Sequence, residues 1–141
     1  MSKSDYMENK VLDIVGGVTF TAPATLYMAL YTTAVPTDAS TGTTPAGGAV
    51  EVTGGSYARQ AVTNNATNFP AASGGSKANG TAITWSTPPS ANWGVVVGFA
   101  IVDAATNGNI LYKGAISPNK TINNGDPAPS FGIGALTITE D

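Results

Sequence analysis

Apolar residues near the start of the chain recur at helical spacing. Met7, Val11, Ile14 and Val15 fall at i, i+4, i+7 and i+8 and form one stripe. The pattern predicts a short helix over residues 4–15. Asp5 and Glu8 have the spacing of a capping box, and Gly16-Gly17 can supply a left-handed C-terminal stop. A helix this short is not stable alone and must dock. Its own sheet is the expected partner, and a neighbouring subunit is the alternative.

After Gly17 the period changes to two. Strand-like runs cover residues 18–22, 25–33, 57–63, 81–86, 94–103, 109–116 and 130–139. They are rich in Val, Ile, Thr, Tyr and Phe, and Gly, Pro, Asn and Ser clusters separate them. Short strands with this punctuation predict an all-β fold: an antiparallel β-sandwich, jelly-roll-like or immunoglobulin-like, with one short N-terminal helix. Two of the runs are apolar on both faces. In 25–33, Leu26, Met28 and Leu30 oppose Tyr27, Ala29 and Tyr31; in 94–103, Val95, Val97, Phe99 and Ile101 oppose Val96, Ala100 and Val102. A solvated face would carry polar residues. The second faces therefore need cover from the helix, from long loops or from another subunit, and this need predicts a homo-oligomer. The two long segments, 34–50 and 66–80, lie between strands of one pattern, so residues 1–141 are expected to form a single domain.

Composition narrows the function. Only 11% of residues are charged, against a usual share of about 25%. The net charge is −3, and the six cations are scattered, so no footprint for nucleic acid exists. No apolar run approaches the roughly 20 residues of a membrane span. The polar N-terminal stretch does not read as a signal peptide, which predicts synthesis in the cytoplasm. There is no Cys and no His, so thiolate chemistry and a histidine base are excluded, and no metal or cofactor site is expected.

The remaining candidates for chemistry are weak. The acids are scattered, and nothing in the sequence brings Glu51 and Asp103 to one cleft as a glycosidase would need. Ser117 and Lys120 match an S-x-x-K pattern, but Ser-Pro-Asn reads as a turn rather than a helix start. Asp103 and Asn109 flank a turn in which Asn107-Gly108 supplies positive φ angles. Sequons at Asn65, Asn79 and Asn119 are what chance gives in an Asn- and Thr-rich chain. Trp85 and Trp93 are candidates for a sugar-stacking platform, and core packing is favoured over that use. An enzyme is not expected.

Arg59 is the only arginine. It sits in a strand-like run two residues after Tyr57, where a buried cation without a partner would be costly. It is expected beside an aromatic ring, forked onto a carboxylate: Asp103 first, Glu51 second.

Four segments taken together resemble a known family. They are SDYMENKVLDIVGGVTFTAPATLYMALYTT, EVTGGSYARQAV, ANWGVVVGFAIVDAATNGNILYKGAI and KTINNGDPAPSFGIGALTIT. In this order they resemble small proteins of tailed bacteriophages, usually described as phage tail fibre or virion structural proteins. The longer, Pro-rich segment 34–50 departs from the pattern. The resemblance implies a virion component without catalytic residues, made in the host cytoplasm, whose partners are other virion proteins. Two roles follow. One is a capsid decoration (cement) protein on the major capsid protein; the absence of a repeated or coiled-coil shaft favours it, and in this role a trimer is the favoured homo-oligomer, since such proteins often sit on three-fold positions. The other is a small tail fibre or tail-tip part that contacts tail proteins. A carbohydrate-binding module is the alternative from another class. The residues expected at interfaces or in structural pairs are Met7, Val11, Ile14, Tyr27, Tyr31, Tyr57, Arg59 and Asp103.

Overall fold

A computed structural model describes residues 1–140. In chain order the elements are β1 (Ser2–Lys3), α1 (Asp5–Val15), β2 (Thr25–Thr32), β3 (Val50–Glu51), β4 (Gln60–Thr63), β5 (Ser76–Ala78), β6 (Ile83–Thr84), β7 (Gly94–Val102), β8 (Ile110–Ile122), β9 (Ser130–Phe131) and β10 (Thr137–Thr139). The main sheet runs β1-β8-β7-β2-β3, and β4 also pairs with β2. Every ladder is antiparallel. The fold is an all-β sandwich with one short helix. It departs from both a jelly roll and an immunoglobulin domain in its second layer, which is two short ladders, β5·β10 and β6·β9, rather than a continuous sheet.

The doubly apolar strands explain this layering. On one face Leu26, Met28 and Leu30 of β2 pack with Phe99 and Ile101 of β7, under Ile83, Phe131, Leu136 and Ile138 of the ladder layer. On the other face Ala29, Tyr31, Ala100, Val102 and Ile110 form a second buried cluster. Its cover is the chain's own segment 33–49, called here the strap, which contributes Ala34 and Ala49. Pro36 of the strap is also fully buried. Most of the apolar surface that suggested a subunit partner is thus covered within one chain, with Val95 left exposed.

The strap has almost no regular structure and is held by polar contacts. Lys113 of β8, buried on the outer face, pairs with Asp38 at 2.7 Å and donates to Ser2 Oγ at 2.9 Å. The Asp38 carbonyl accepts the Asp5 amide at 2.9 Å, and the Gly42 amide donates to the Gly108 carbonyl at 2.9 Å.

Several boundaries differ from expectation. Residues 18–22 form no strand; they find no ladder partner, and Val18 is exposed. The helix starts at Asp5, and its cap is Ser4, whose hydroxyl accepts the Met7 amide at 3.3 Å. The expected Asp5–Glu8 box is therefore displaced, and both acids sit in the first turn, where the helix dipole favours them. At the other end Gly17 takes the left-handed conformation, at φ 88°. Residues 57–59 precede β4 rather than belonging to it. Residues 130–139 split into two strands around a turn. The stretch from Ser117 to Lys120 lies inside β8: Gly98 pairs with Ala115 and Val96 with Lys120, so Val97 alone faces four residues. This bulge also flips β7 locally. Val96 turns into the main core beside Phe99 and Ile101, while Val95 is exposed.

Ser4 links the helix to the sheet. It is fully buried, caps α1 and donates its hydroxyl to the Ile110 carbonyl. Replacing Ser4 with Ala removes the cap and strands a buried acceptor. The expected loss is about 1–3 kcal/mol of unfolding free energy in denaturant melts. A loss under about 0.5 kcal/mol, the scale of neutral surface changes, would show that this contact carries little.

Candidate functional site

The segment GGSYAR opens with three consecutive left-handed residues, Gly54, Gly55 and Ser56, at φ 72°, 55° and 66°. Two glycines make this run tolerable. The reversal exposes carbonyls that the tryptophans then use. Trp93 Nε1 donates to the Gly55 carbonyl at 2.9 Å, and Trp85 Nε1 donates to the Ala58 carbonyl at 3.0 Å. Both indoles are buried. They are core residues with their one donor used, so they form no sugar-stacking platform.

The same reversal aims Tyr57 and Arg59 at Glu51. The Arg59 side chain is 4% exposed. Its Nε and Nη2 fork onto Glu51 Oε1 and Oε2, both at 2.8 Å. The other Nη2 hydrogen goes to the Gly42 carbonyl at 2.7 Å, and Nη1 donates to the carbonyls of Ala104 at 2.9 Å and Asn107 at 2.8 Å. All five guanidinium donors are satisfied. One side chain therefore ties β3, the strap and the 103–109 turn to the start of β4. Gly42 has to be glycine here, since a Cβ would stand 2.0 Å from the Asn107 carbonyl oxygen.

Glu51, and not Asp103, is thus the acid that meets Arg59. Asp103 is folded back onto its own turn, accepting from the Asn109 amide at 2.7 Å and Asn109 Nδ2 at 2.8 Å. Asn107 and Gly108 have the expected positive φ, 56° and 76°. Asp103 acts indirectly, by shaping the turn whose carbonyls Arg59 reads. The Tyr57 ring meets Trp93 edge-on at 5.2 Å and 87°. Its hydroxyl donates to Glu51 Oε1 at 3.1 Å and accepts the Leu30 amide at 2.9 Å. Burial first, and the Glu51 charge second, push the phenols of Tyr57 and Tyr31 well above the ordinary value. Tyr31, expected at an interface, is fully buried, because the strap covers its face. Tyr27 is half-buried beside the same cluster.

The α1 stripe divides. Met7 and Val11 are half-buried, and Met7 packs against the main core. Ile14 is 48% exposed, and Leu12, Val15 and Val18 are exposed as well. The helix rests on β1 and β8.

Two further constellations were not singled out by sequence reasoning. Asn79, set aside as a chance sequon, is buried with its amide fully used. It donates to the carbonyls of Thr81 and Gly132 and accepts the Leu136 amide, pinning the turn between β9 and β10. Nothing in an Asn-rich loop marks this residue out. Glu140 bonds Lys3 and accepts the Tyr112 hydroxyl at 3.0 Å, joining the two ends of the described chain. The Lys3 contact holds the Glu140 carboxyl below its usual range. Burial, then the Glu140 bond, pushes the Tyr112 phenol up to about 12. Among the described residues no cluster of three His, Cys, Asp or Glu side chains is placed to hold a metal, and no helix is long and apolar enough to cross a membrane.

These features define a structural β domain whose charges are largely spent on holding its own loops. The family model described as podophage GP4 fiber I protein gp80 matches residues 2–139, and the chain belongs to that family of phage structural proteins. Among curated proteins, none matches the chain.

Two outcomes follow. Arg59→Ala leaves Glu51 and three carbonyls without their donor. It should cost roughly 3–5 kcal/mol, and Arg59→Lys should recover little, because an ammonium cannot make the fork. Thermal or denaturant melts decide; wild-type stability in both variants would contradict the account. The second concerns pH. The raised phenols of Tyr31, Tyr57 and Tyr112 mean that the folded state keeps protons that an unfolded chain releases above pH 10.0. Their contribution is whole below about pH 10 and falls as pH climbs toward 12. Absorbance titration at about 295 nm should show late phenol ionisation that coincides with unfolding. Full ionisation of all five tyrosines near pH 10.0, with the fold intact, would be the opposite result.

Proposed function

We propose that this chain is a non-catalytic building block of a phage fibre, seated on the particle through contacts with other virion proteins. The observation that carries the reading is the family match over residues 2–139, whose description is that of a fibre protein. The structure supports a passive role. The two acids that would make a hydrolase pair are committed elsewhere, Glu51 to Arg59 and Tyr57, and Asp103 to Asn109. Ser117 and Lys120, the S-x-x-K pair, lie on a strand and not on a helix. Within a virion, a charge-poor surface of Thr, Ser, Asn and Gly suits a part that is packed among neighbours.

A second reading, a decoration protein on the major capsid protein, is favoured by one observation. The described residues form one compact domain with no repeat or coiled-coil shaft.

Gold labelling of intact particles with an antibody to the isolated chain separates the two. The fibre reading expects label confined to fibres, with few copies per particle. Label spread evenly over the head, with hundreds of copies, would replace it with the decoration reading. A particle without label would overturn both.

A further inference from the structure

Asn-Gly pairs occur at residues 79–80, 107–108 and 124–125. Such a pair is chemically labile, because the glycine amide nitrogen can close onto the preceding side-chain carbonyl carbon with no Cβ in the way. The fold treats these pairs differently. Asn79 is buried with its side-chain amide fully bonded, and the Gly80 amide donates to the Asn68 carbonyl at 2.8 Å. At Asn124 the attacking nitrogen is also engaged: the Gly125 amide donates to the Pro89 carbonyl at 3.1 Å. Asn107 is exposed, and neither its side chain nor the Gly108 amide has a hydrogen-bond partner among the described residues.

We propose that Asn107 is a site of spontaneous modification, converted through a succinimide to isoaspartate and aspartate, and that Arg59 promotes the change. Arg59 Nη1 donates to the Asn107 carbonyl at 2.8 Å. That carbonyl belongs to the same peptide bond as the attacking Gly108 nitrogen. When this amide loses its proton, negative charge spreads onto the carbonyl oxygen, and a charge-assisted hydrogen bond from the guanidinium stabilises it. The arrangement works as an oxyanion hole. It is preorganised, because the Arg59 side chain is buried and fixed by its bonds to Glu51, Gly42 and Ala104.

The turn also cannot discard the labile pair. Gly108 has φ 76°, and a Cβ there would stand 2.4 Å from Asp103 Oδ1 and 2.7 Å from the Ala104 Cβ. Asn107 has φ 56°, a conformation that Asn tolerates better than most residues. The reactive sequence is therefore fixed by the same turn that presents its carbonyls to Arg59.

The chemistry needs only water. The Gly108 nitrogen gives its proton to solvent and bonds to Asn107 Cγ. The Cγ–Nδ2 bond breaks, and Nδ2 takes a proton back from solvent and leaves as ammonia. Water then opens the cyclic imide. Attack at Cγ gives aspartate. Attack at the main-chain carbonyl carbon breaks its bond to Gly108 and gives isoaspartate, in which that carbon becomes a free carboxylate. Arg59 polarises this second carbonyl and so directs water to it. The product sets a carboxylate where the guanidinium held a carbonyl. It adds a negative charge at the anchor of the strap and lengthens the β7–β8 turn by a methylene.

Peptide mapping by mass spectrometry, with chromatographic separation of the aspartate and isoaspartate products, tests this on the folded chain held in mildly alkaline buffer. Modification at Asn107 should outpace that at Asn79 and Asn124 by at least about tenfold. In denaturant the same pairs should react alike, and the isoaspartate share at Asn107 should be lower than in the folded chain. Asn107→Gly, which keeps the left-handed turn and removes the side-chain amide, should abolish the leading product. Arg59→Lys, held well below its melting temperature, should slow the change at Asn107 and lower its isoaspartate share. Asn79 or Asn124 reacting first, or equal isoaspartate shares in folded and denatured chains, would overturn the proposal. So would a folded Arg59→Lys chain that reacts like the wild type. If that variant does not fold, the comparison of folded with denatured wild type decides alone. The assay reads local chemistry in the isolated chain, so its failure leaves the fibre reading standing, and the gold labelling can fail without touching it.

Discussion

Strands β2 and β7 carry apolar side chains on both faces, so the main sheet needs two covers. The ladder layer supplies one in the ordinary way of a sandwich. The other is the strap, which makes almost no ladder of its own and buries mostly small residues, Ala34, Pro36 and Ala49. Small residues add little apolar area, about 25 cal/mol per Å² of it. The strap therefore depends on polar anchors, and the Arg59 guanidinium is the central one. Desolvating that charge is costly unless every donor finds an acceptor. Here two donors go to one carboxylate and three to carbonyls on two different loops.

The same economy of charge connects the fold to its role. Four of the six cations are paired within the chain, with Glu140, Asp13, Glu51 and Asp38. Asp103 and Asp126 accept hydrogen bonds from their own turns. Little charge is left for steering a ligand or for chemistry. The surface is polar and poor in charge, broken by the apolar end of α1. A domain built this way is suited to being held in place by neighbours, in line with its membership of a phage structural family.

Much of the architecture was legible in the sequence, because periodicity reports burial directly. The helix, the long strands and the double-sided apolarity of β2 and β7 are all visible in the spacing of Leu, Met, Val and Tyr. What covers the second face was not, because a Gly-, Thr- and Pro-rich strap has no periodicity to read. The lone arginine announced a buried pair, but its partner depended on where the turn at 103–109 points. In the sequence Asp103 ends a long apolar strand, within reach of a fork, and so stands ahead of Glu51. The turn instead uses Asp103 for its own amides and offers Arg59 its carbonyls. The bulge at Val96 and the seating of Asn79 are likewise tertiary facts. A bulge moves a residue from one face to the other without altering composition, and one Asn among many carries no mark of burial.

The central claim is that Arg59 fastens the strap over the outer face of the sheet. Residue-resolved hydrogen exchange, comparing Arg59→Lys with the wild type, tests it most directly. The account predicts that protection falls first at the Gly42, Ser40 and Ala46 amides, which are bonded in or from the strap, and then at Ala29, Tyr31 and Ala100 beneath it. The ladder β7·β8 on the far side of its bulge, around Val95 and Thr121, should keep its protection. A uniform loss over the whole sheet, or unchanged protection in the strap, would contradict it.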